Sequence, residues 1–292
     1  MIASAQKLLE AFAGGQRDFR AWQLESVNLA GASLEGINLE GANLAHANLQ
    51  GANLEGAQLV DTDLNGADLR DANLRNATLM WANLESAHLD AADLTDADME
   101  GVNIQRAVLR DARLGMVDLR GADASEAEFD RAFMNGAEVC SADLSNAAMS
   151  GVHLQGARLH DTNLTGAHLN WADLRDARLT RARLQRAQLD GADLTGANAR
   201  DADMRAANLN SATLRGADLR RANLAGADLR AADLTKACLR EVDVSEAVLA
   251  NATLLEADVR GTDMTRARFE ESAVAWESLT GEPRQTELTA GD

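Results

Sequence analysis

Leucine and alanine recur along this chain with a period of five residues. Between residues 24 and 269, every fifth position belongs to a series of 50, and 37 of these positions are leucine. A second series lies two residues earlier, from 22 to 267, and alanine fills 40 of its 50 positions. Side chains two residues apart on an extended chain point to the same side. The pattern therefore predicts very short extended pieces whose Ala and Leu side chains both point inward.

A period of five fits neither a continuous helix nor a continuous strand. On an α-helix, leucines at this spacing would step by about 140° and spiral round every side. On a strand, an odd spacing would send successive leucines to opposite faces. Seventeen of the 22 glycines lie two residues after a central position, in a phase they share with Asp, Asn and Ser, which favour turns. A turn in the same direction every five residues predicts a coil whose turns pair as parallel ladders around a filled core.

Individual units carry a more specific likeness. The units GANLE at 51–55, GADLT at 191–195, and GADLR at 66–70 and 216–220 resemble the pentapeptide-repeat family, whose pattern is A-(D/N)-L-x-x. The resemblance covers about residues 19–274. It implies an all-β fold, the right-handed quadrilateral β-helix, with four units per coil and therefore about 12 coils in this chain.

The repeat also predicts the organisation of the chain into three parts. Residues 1–16 form an N-terminal capping part, with an amphipathic helix over 2–13 that ends at Gly14. Residues 17–274 form the β-helix, and residues 275–292 form a C-terminal cap and a flexible acidic tail. The last apolar side chains are predicted to cap the final coil or to form a homodimer contact, and the resemblance implies the dimer; they are Phe269, Val274, Trp276 and Leu279.

Composition narrows the class of protein. The chain has 28 Lys and Arg against 46 Asp and Glu, a net charge of −18, which disfavours a general binder of nucleic acid or of anionic membranes. No apolar run approaches the roughly 18 residues of a membrane span, and two cysteines do not make a disulfide framework. We expect a soluble, cytoplasmic protein with no membrane partner and no direct nucleic-acid partner.

The charges are unevenly distributed along the chain. Residues 21–105 contain 14 acids and two bases, residues 175–240 contain eight acids and 13 bases, and residues 241–292 contain 12 acids and four bases. The first zone spans about 20 Å at the spacing of paired strands, which is roughly one net negative charge per 1.7 Å. That value is close to the linear charge density of duplex DNA, so imitation of DNA is physically feasible.

Candidate binding residues follow from the outward positions. Val60, Met80 and Trp81 form a predicted apolar patch suited to a protein contact. The acids chosen from the first zone are Asp61, Asp63, Asp68, Asp93, Asp96 and Asp98. Four arginines recur at every fourth unit, at Arg200, Arg220, Arg240 and Arg260. They favour either pairing with Asp218, Asp258 and Glu241 or, as the sharper hypothesis, a surface for an anionic partner.

Enzyme chemistry finds little support in the sequence. Ala and Leu fill the inward positions, so no concave pocket is expected, and the five histidines lack the spacing of a metal site. We predict no enzyme activity, cofactor or metal. The resemblance extends to the quinolone-resistance members of the family, which implies a DNA mimic that binds DNA gyrase or topoisomerase IV. The alternative is a structural or adaptor scaffold for a protein partner unrelated to DNA enzymes.

Overall fold

The computed structural model describes residues 4–269, and the chain divides into two compact units, Met1–His153 and Leu154–Asp292. Helix α1 spans Ala5–Ala13, and the Ser4 side chain caps it by accepting a hydrogen bond from the backbone N–H of Lys7. Since Ser4 is in an extended conformation, the helix begins at Ala5 and not at residue 2 as the sequence predicted. Gly14 is the C-cap.

The helix contacts the first repeats through a small apolar cluster. Leu8 is fully buried, as is Phe19. The ring centroid of Phe12 lies 6.4 Å from that of Phe19, which in turn lies 4.9 Å from that of Trp22 in an edge-on arrangement. These contacts pack α1 against the first pentapeptides, beside the first bridge at Asp18.

Parallel bridges between positions four pentapeptides apart build both compact units. The bridges run from Asp18–Asn38 to Phe133–His153 in the first unit and from Arg158–Arg178 to Val248–Arg268 in the second. Each is a single-residue bridge, so the described residues contain no longer strand, and one 3₁₀ turn occurs at Met264–Arg266. A pairing step of four pentapeptides confirms the predicted number of repeats per coil.

Nearly every pentapeptide ends in the same hydrogen-bonded turn. The carbonyl of the central residue accepts a hydrogen bond from the N–H three positions later, as Leu84 does from Ala87 at 3.0 Å. Leu239 is an exception, because the N–H of Val242 donates to the Thr262 hydroxyl at 2.9 Å. The third residue of this turn has a positive φ at every fifth position from 21 to 261, while the second has not, which is type II geometry. Most of these corner residues are not glycine, so the ladder hydrogen bonds of each coil hold ordinary side chains in the left-handed region.

The interior is filled by the two series that the sequence picked out. Nearly all Ala and Leu of the repeat are buried, and the less regular side chains Phe129, Met134 and Val139 are fully buried too. Thr62 replaces Ala in one pentapeptide, and its hydroxyl donates to the Leu39 carbonyl at 2.9 Å. Within the described part of the chain, no helix is long and apolar enough to cross a bilayer.

Candidate functional site

Corner side chains lie over the corner of the next coil, and the largest ones lie over glycine. A Cβ atom added to Gly101 would be 2.5 Å from Cδ1 of Trp81, and one added to Gly191 would be 2.2 Å from Cζ3 of Trp171. Both tryptophans remain exposed, at 56% and 67%. The glycine one coil later therefore leaves room for each indole against the backbone, while more than half of each tryptophan remains exposed.

The residues of the predicted apolar patch lie in successive coils of the first unit. Val60 and Met80 are half-buried, and Trp81 is exposed beside Met80. Asp61 belongs to the same patch, because its N–H donates to the Met80 carbonyl at 3.0 Å. We call Val60, Asp61, Met80 and Trp81 the tryptophan edge. It joins an aromatic side chain and a carboxylate, the combination that suits a partner with both apolar and basic groups.

The acids predicted in residues 21–105 differ in how far they are neutralised. Asp68 accepts two hydrogen bonds from the Arg70 guanidinium, the first at 2.8 Å and the second at 2.5 Å. Asp93 has a longer contact of 3.4 Å with Arg75. Asp63 and Asp98 accept only neutral donors, from residues 65, 83 and 100.

Most acids of this zone have no basic partner. Of the 14 acids, five form ion pairs: Asp68, Glu85, Asp90, Asp93 and Glu100. Among the described residues, the other nine have none, and they include Asp61 and Asp96 at exposed corners. The zone's two arginines, Arg70 and Arg75, are both engaged internally. The exterior of residues 21–105 is therefore negatively charged, because most of its acids are not neutralised by ion pairs.

The Arg-rich zone is arranged in the opposite way. In the pentapeptides that read A-D-L-R, the arginine folds back on the aspartate two positions earlier. The A-D-M-R sequence at 202–205 does the same, because Arg205 donates to Asp203 through Nε at 2.8 Å and Nη2 at 2.6 Å. The same geometry recurs at Asp173–Arg175, Asp218–Arg220 and Asp228–Arg230. Corner residues pair across coils instead, as in Arg181–Asp161 and Arg221–Asp201. Four of the eight acids of residues 175–240 are neutralised in these two ways. Two more, Asp193 and Asp233, pair with the arginine 18 residues earlier.

The four arginines spaced by one coil are mostly paired. Arg220 binds Asp218, and both Arg240 and Arg260 bind Asp258. Arg200 differs, because Asn198 stands where the pentapeptides of Arg220 and Arg260 have aspartate, and its Nε is buried without a hydrogen-bond partner. Of this set, Arg200 is the one with an uncompensated charge among the described residues.

The pairing changes the acidity of the carboxylates. Hydrogen bonds from Arg205 and Arg230 lower the pKa of Asp203 and Asp228, respectively. Hydrogen bonds from Arg20 lower the pKa of Asp18 to about 2. Burial, with Arg158, Arg178 and Arg181 nearby, lowers the pKa of His160. These are the changes expected of structural ion pairs and of a histidine beside arginines, so they do not by themselves mark a catalytic group.

Several expectations concern other residues. Phe269 is half-buried at the end of the described chain, while Val274, Trp276 and Leu279 lie outside the described residues. Within residues 4–269, no group of three or more His, Cys, Asp or Glu side chains could hold a metal ion.

The sequence analysis missed the stack of Phe133 on His153, whose ring centroids are 4.9 Å apart. The signal in the sequence was their separation of 20 residues, which is one coil.

A second omission is an open recess of about 450 Å³ in the second unit. It is lined by Thr165, Arg183, Gln185, Arg186, Arg205 and Ala206. Arg183 and Arg186 have no acidic partner among the described residues. The signal in the sequence was the stretch A-R-L-Q at 182–185, in which arginine takes the place of Asp or Asn.

The five-residue repeat matches a known protein family. The family model of pentapeptide repeats matches eight times, over residues 23–59, 77–115, 103–139, 142–181, 172–210, 182–221, 207–245 and 244–273. No curated protein matches the chain.

Among solved structures, the chain is similar to HetL from the cyanobacterium Nostoc sp. strain PCC 7120, a pentapeptide repeat protein involved in heterocyst differentiation regulation. The identity is 30% over 85% of this chain and 97% of HetL, with a TM-score of 0.43. A pentapeptide repeat protein of the Arabidopsis thaliana thylakoid lumen is 31% identical over 35% of this chain and 70% of its own, with a TM-score of 0.34. Full-length QnrB1, a plasmid-mediated fluoroquinolone resistance protein, is 14% identical over 91% of this chain and 93% of its own, with a TM-score of 0.23.

Members of the matched family form right-handed quadrilateral β-helices, and bridges that recur at every fourth pentapeptide supply the four sides. The match covers most of the chain and follows the register that the buried Ala and Leu define. This chain belongs to the pentapeptide-repeat family.

Proposed function

We propose that this protein is a non-enzymatic macromolecule-binding protein whose acidic exterior, residues 21–105, imitates duplex DNA and binds a type II topoisomerase such as DNA gyrase. The observation that carries the proposal is the set of nine acids in this zone without a basic partner among the described residues. Because the two arginines of the zone are already paired, this negative charge is available to an external cation.

The net charge density of residues 21–105 supports imitation of DNA. The zone carries 14 acids and two bases over 17 pentapeptides. At about 4.8 Å per coil, this is roughly one net charge per 1.7 Å, the value for duplex DNA. A groove that binds DNA through Lys and Arg would meet a similar field here, at a surface that cannot be cut or unwound.

The filled interior supports a binding role over catalysis. Ala and Leu of the repeat are almost completely buried, so polar side chains lie on the exterior. Hydrogen bonds between the coils fix the positions of these exterior groups, as the bond from Leu84 to the Asn103 carbonyl does at 2.7 Å. A fixed array of charges suits recognition of a large partner, because little conformational entropy is lost on binding.

The experiment is a gyrase supercoiling assay, together with direct binding to gyrase at low salt. We expect the wild type to form a complex and to change supercoiling. The quadruple variant Asp61→Asn, Asp63→Asn, Asp96→Asn, Asp98→Asn removes four of the unpaired acids and should weaken the complex by about tenfold or more. A charge-matched control carries Glu126→Gln, Asp176→Asn, Asp190→Asn and Glu241→Gln, and should bind within about threefold of wild type.

Two results would contradict the proposal. One is the absence of any complex of the wild type with gyrase at low salt. The other is an equal loss of binding in both quadruple variants, which would show that net charge alone matters and that the zone itself is not recognised.

The tryptophan edge favours a second candidate function, an adaptor scaffold for a protein unrelated to DNA enzymes. Trp81 keeps more than half of its surface exposed although it lies against Gly101, and aromatic side chains of this kind dominate protein interfaces. In that case, Trp81→Ala should abolish capture of the partner, while the triple variant Asp63→Asn, Asp96→Asn, Asp98→Asn, which keeps Asp61, should retain it. If gyrase binding depends on the acids, the adaptor function is not needed to explain the surface.

A further inference from the structure

The recess of the second unit is a site of positive charge in a negative protein. Its lining contains three arginines, together with the neutral polar side chains of Thr165 and Gln185. The chain as a whole carries a net charge of −18. Of the three arginines, Arg205 is paired with Asp203, while Arg183 and Arg186 form no ion pair among the described residues, so they leave positive charge that an external anion can compensate.

The ladder that carries Arg183 leaves it without compensation. Arg183 forms parallel bridges with Asn163 on one side and Asp203 on the other. The Asp203 carboxylate is already occupied, because it accepts from Arg205 at 2.6 Å and from Gln185 Nε2 at 2.7 Å. Arg183 therefore retains its full set of donors.

Arg186 is placed at the corner in a similar way. Its backbone has a positive φ of 60°, and its N–H donates to the Arg205 carbonyl at 3.0 Å. The corner of the next coil is Ala206, which is small enough to leave the recess open. Arg205 uses Nε and Nη2 on Asp203, and no hydrogen bond of its Nη1 is found among the described residues.

We propose that this recess binds the dianionic phosphate group of a phosphate monoester, carried either by a free small molecule or by a phosphorylated side chain. A phosphate offers three acceptor oxygens to the forks of Arg183 and Arg186 and to the outer edge of Arg205. Gln185 and Thr165 supply neutral polar contacts at the rim. A long polyanion fits less well, because the strong negative charge of the rest of the chain would repel it. The proposal is independent of the acidic zone.

The test is calorimetric titration of the full chain at low salt with inorganic phosphate. Arg183→Gln with Arg186→Gln should raise the Kd by about tenfold or more, because two charge-assisted donors are lost. The matched control is Arg220→Gln with Arg230→Gln, which removes the same charge from arginines that already bind Asp218 and Asp228. It should change the Kd by less than about twofold. Circular dichroism and thermal unfolding check that both double variants fold.

A second arm distinguishes the sources of the phosphate. The probes are acetyl-phosphoserine-amide and its unphosphorylated form. Binding of the phosphorylated probe at least about fivefold tighter than inorganic phosphate indicates a phosphorylated side chain, and equal or weaker binding indicates a free small phosphate. Binding of the unphosphorylated probe with equal affinity overturns the proposal.

Three further results would overturn it. These are no saturable binding of either phosphate probe up to about 10 mM, an equal loss in the two double variants, and undiminished binding in Arg183→Gln with Arg186→Gln. A duplex oligonucleotide that binds through the same two arginines far more tightly than phosphate would replace the proposal with a nucleic-acid partner.

Discussion

Residues 21–105 and 175–240 have the same interior and opposite exteriors. In the first zone, nine of 14 acids have no basic partner among the described residues. In the second, nine of 13 bases form ion pairs, and Arg178, Arg183, Arg186 and Arg200 remain. The difference shows that the charge of a repeat surface is decided by which acids and bases the coil places within reach of each other, and only partly by their number.

The reason lies in three fixed spacings. A residue in the polar position of one pentapeptide can reach the residue two positions later, as Asp203 reaches Arg205, or the residue 18 positions earlier, as Asp233 reaches Arg215. A corner residue can reach the same corner of the next coil, as Asp161 reaches Arg181. A base at none of these spacings from an acid, such as Arg186, stays available for a ligand. The regular interior thus makes recognition depend on the phase of each charge within the repeat.

The largest expected effect on the free energy of unfolding comes from substitutions in the interior, and it should be the same in the two zones. Leu84 and Leu209 are both fully buried, so Leu84→Ala and Leu209→Ala should each lower the free energy of unfolding by about 3 kcal/mol. Urea denaturation followed by circular dichroism measures this. Leu255→Ala is the control, since Leu255 is 46% exposed and should lose less than about 1 kcal/mol. A difference above about 1 kcal/mol between the two buried variants would break the comparison by showing that the interiors are not equivalent.

The second effect concerns the corners. Gly191 and Gly216 have φ values of 65° and 64°, so alanine at either position should cost about 1 kcal/mol. At Gly191 the new methyl group must also displace the Trp171 indole, which adds about 1 kcal/mol, whereas nothing lies within 4 Å of a Cβ at Gly216. Thermal unfolding and tryptophan emission measure both effects. Gly101→Ala should lower the stability as much as Gly191→Ala and should change the emission of Trp81. Equal losses of stability and unchanged emission in all three variants would contradict this prediction.

The repeating interior could be predicted from the sequence because Ala and Leu recur at the same two positions of most pentapeptides. The period of five specified which side chains are buried, and the family resemblance supplied the four-sided coil that the bridges confirm. The candidate surfaces were harder to predict. Whether Asp68 or Asp61 is available depends on an arginine two positions or one coil away, and the contact of Trp81 with Gly101 depends on the direction in which a corner side chain leans. These contacts depend on the three-dimensional arrangement of the coils, which the order of charges in the sequence does not give.

A third, smaller effect separates paired from unpaired acids. Asp203→Asn with Asp228→Asn breaks two ion pairs and should lower the free energy of unfolding by about 1 kcal/mol in total, since the pairs are partly exposed. Asp61→Asn with Asp96→Asn removes two unpaired charges and should change it by less than about 0.5 kcal/mol. Urea denaturation at low salt compares them. The distinction between the zones would be lost if the second variant were destabilised as much as the first.

The smallest effect is the dependence of the Arg-rich zone on pH. Arg205 and Arg230 lower the pKa of Asp203 and Asp228, so each carboxylate prefers its charged form more strongly in the folded chain than in the unfolded chain, where its pKa is about 3.9. The stabilisation by these groups is therefore fully present above about pH 5 and is lost as the pH falls through the lower folded pKa values. Asp203→Asn with Asp228→Asn cannot titrate there, so its free energy of unfolding should change less than that of the wild type between about pH 5 and pH 2. Measurements on both proteins by urea denaturation at constant salt should give curves that converge as the pH is lowered. Curves that stay parallel would mean that the two pairs in the folded chain do not hold the carboxylates charged, and the contrast between a neutralised zone and an open one would lose its electrostatic basis.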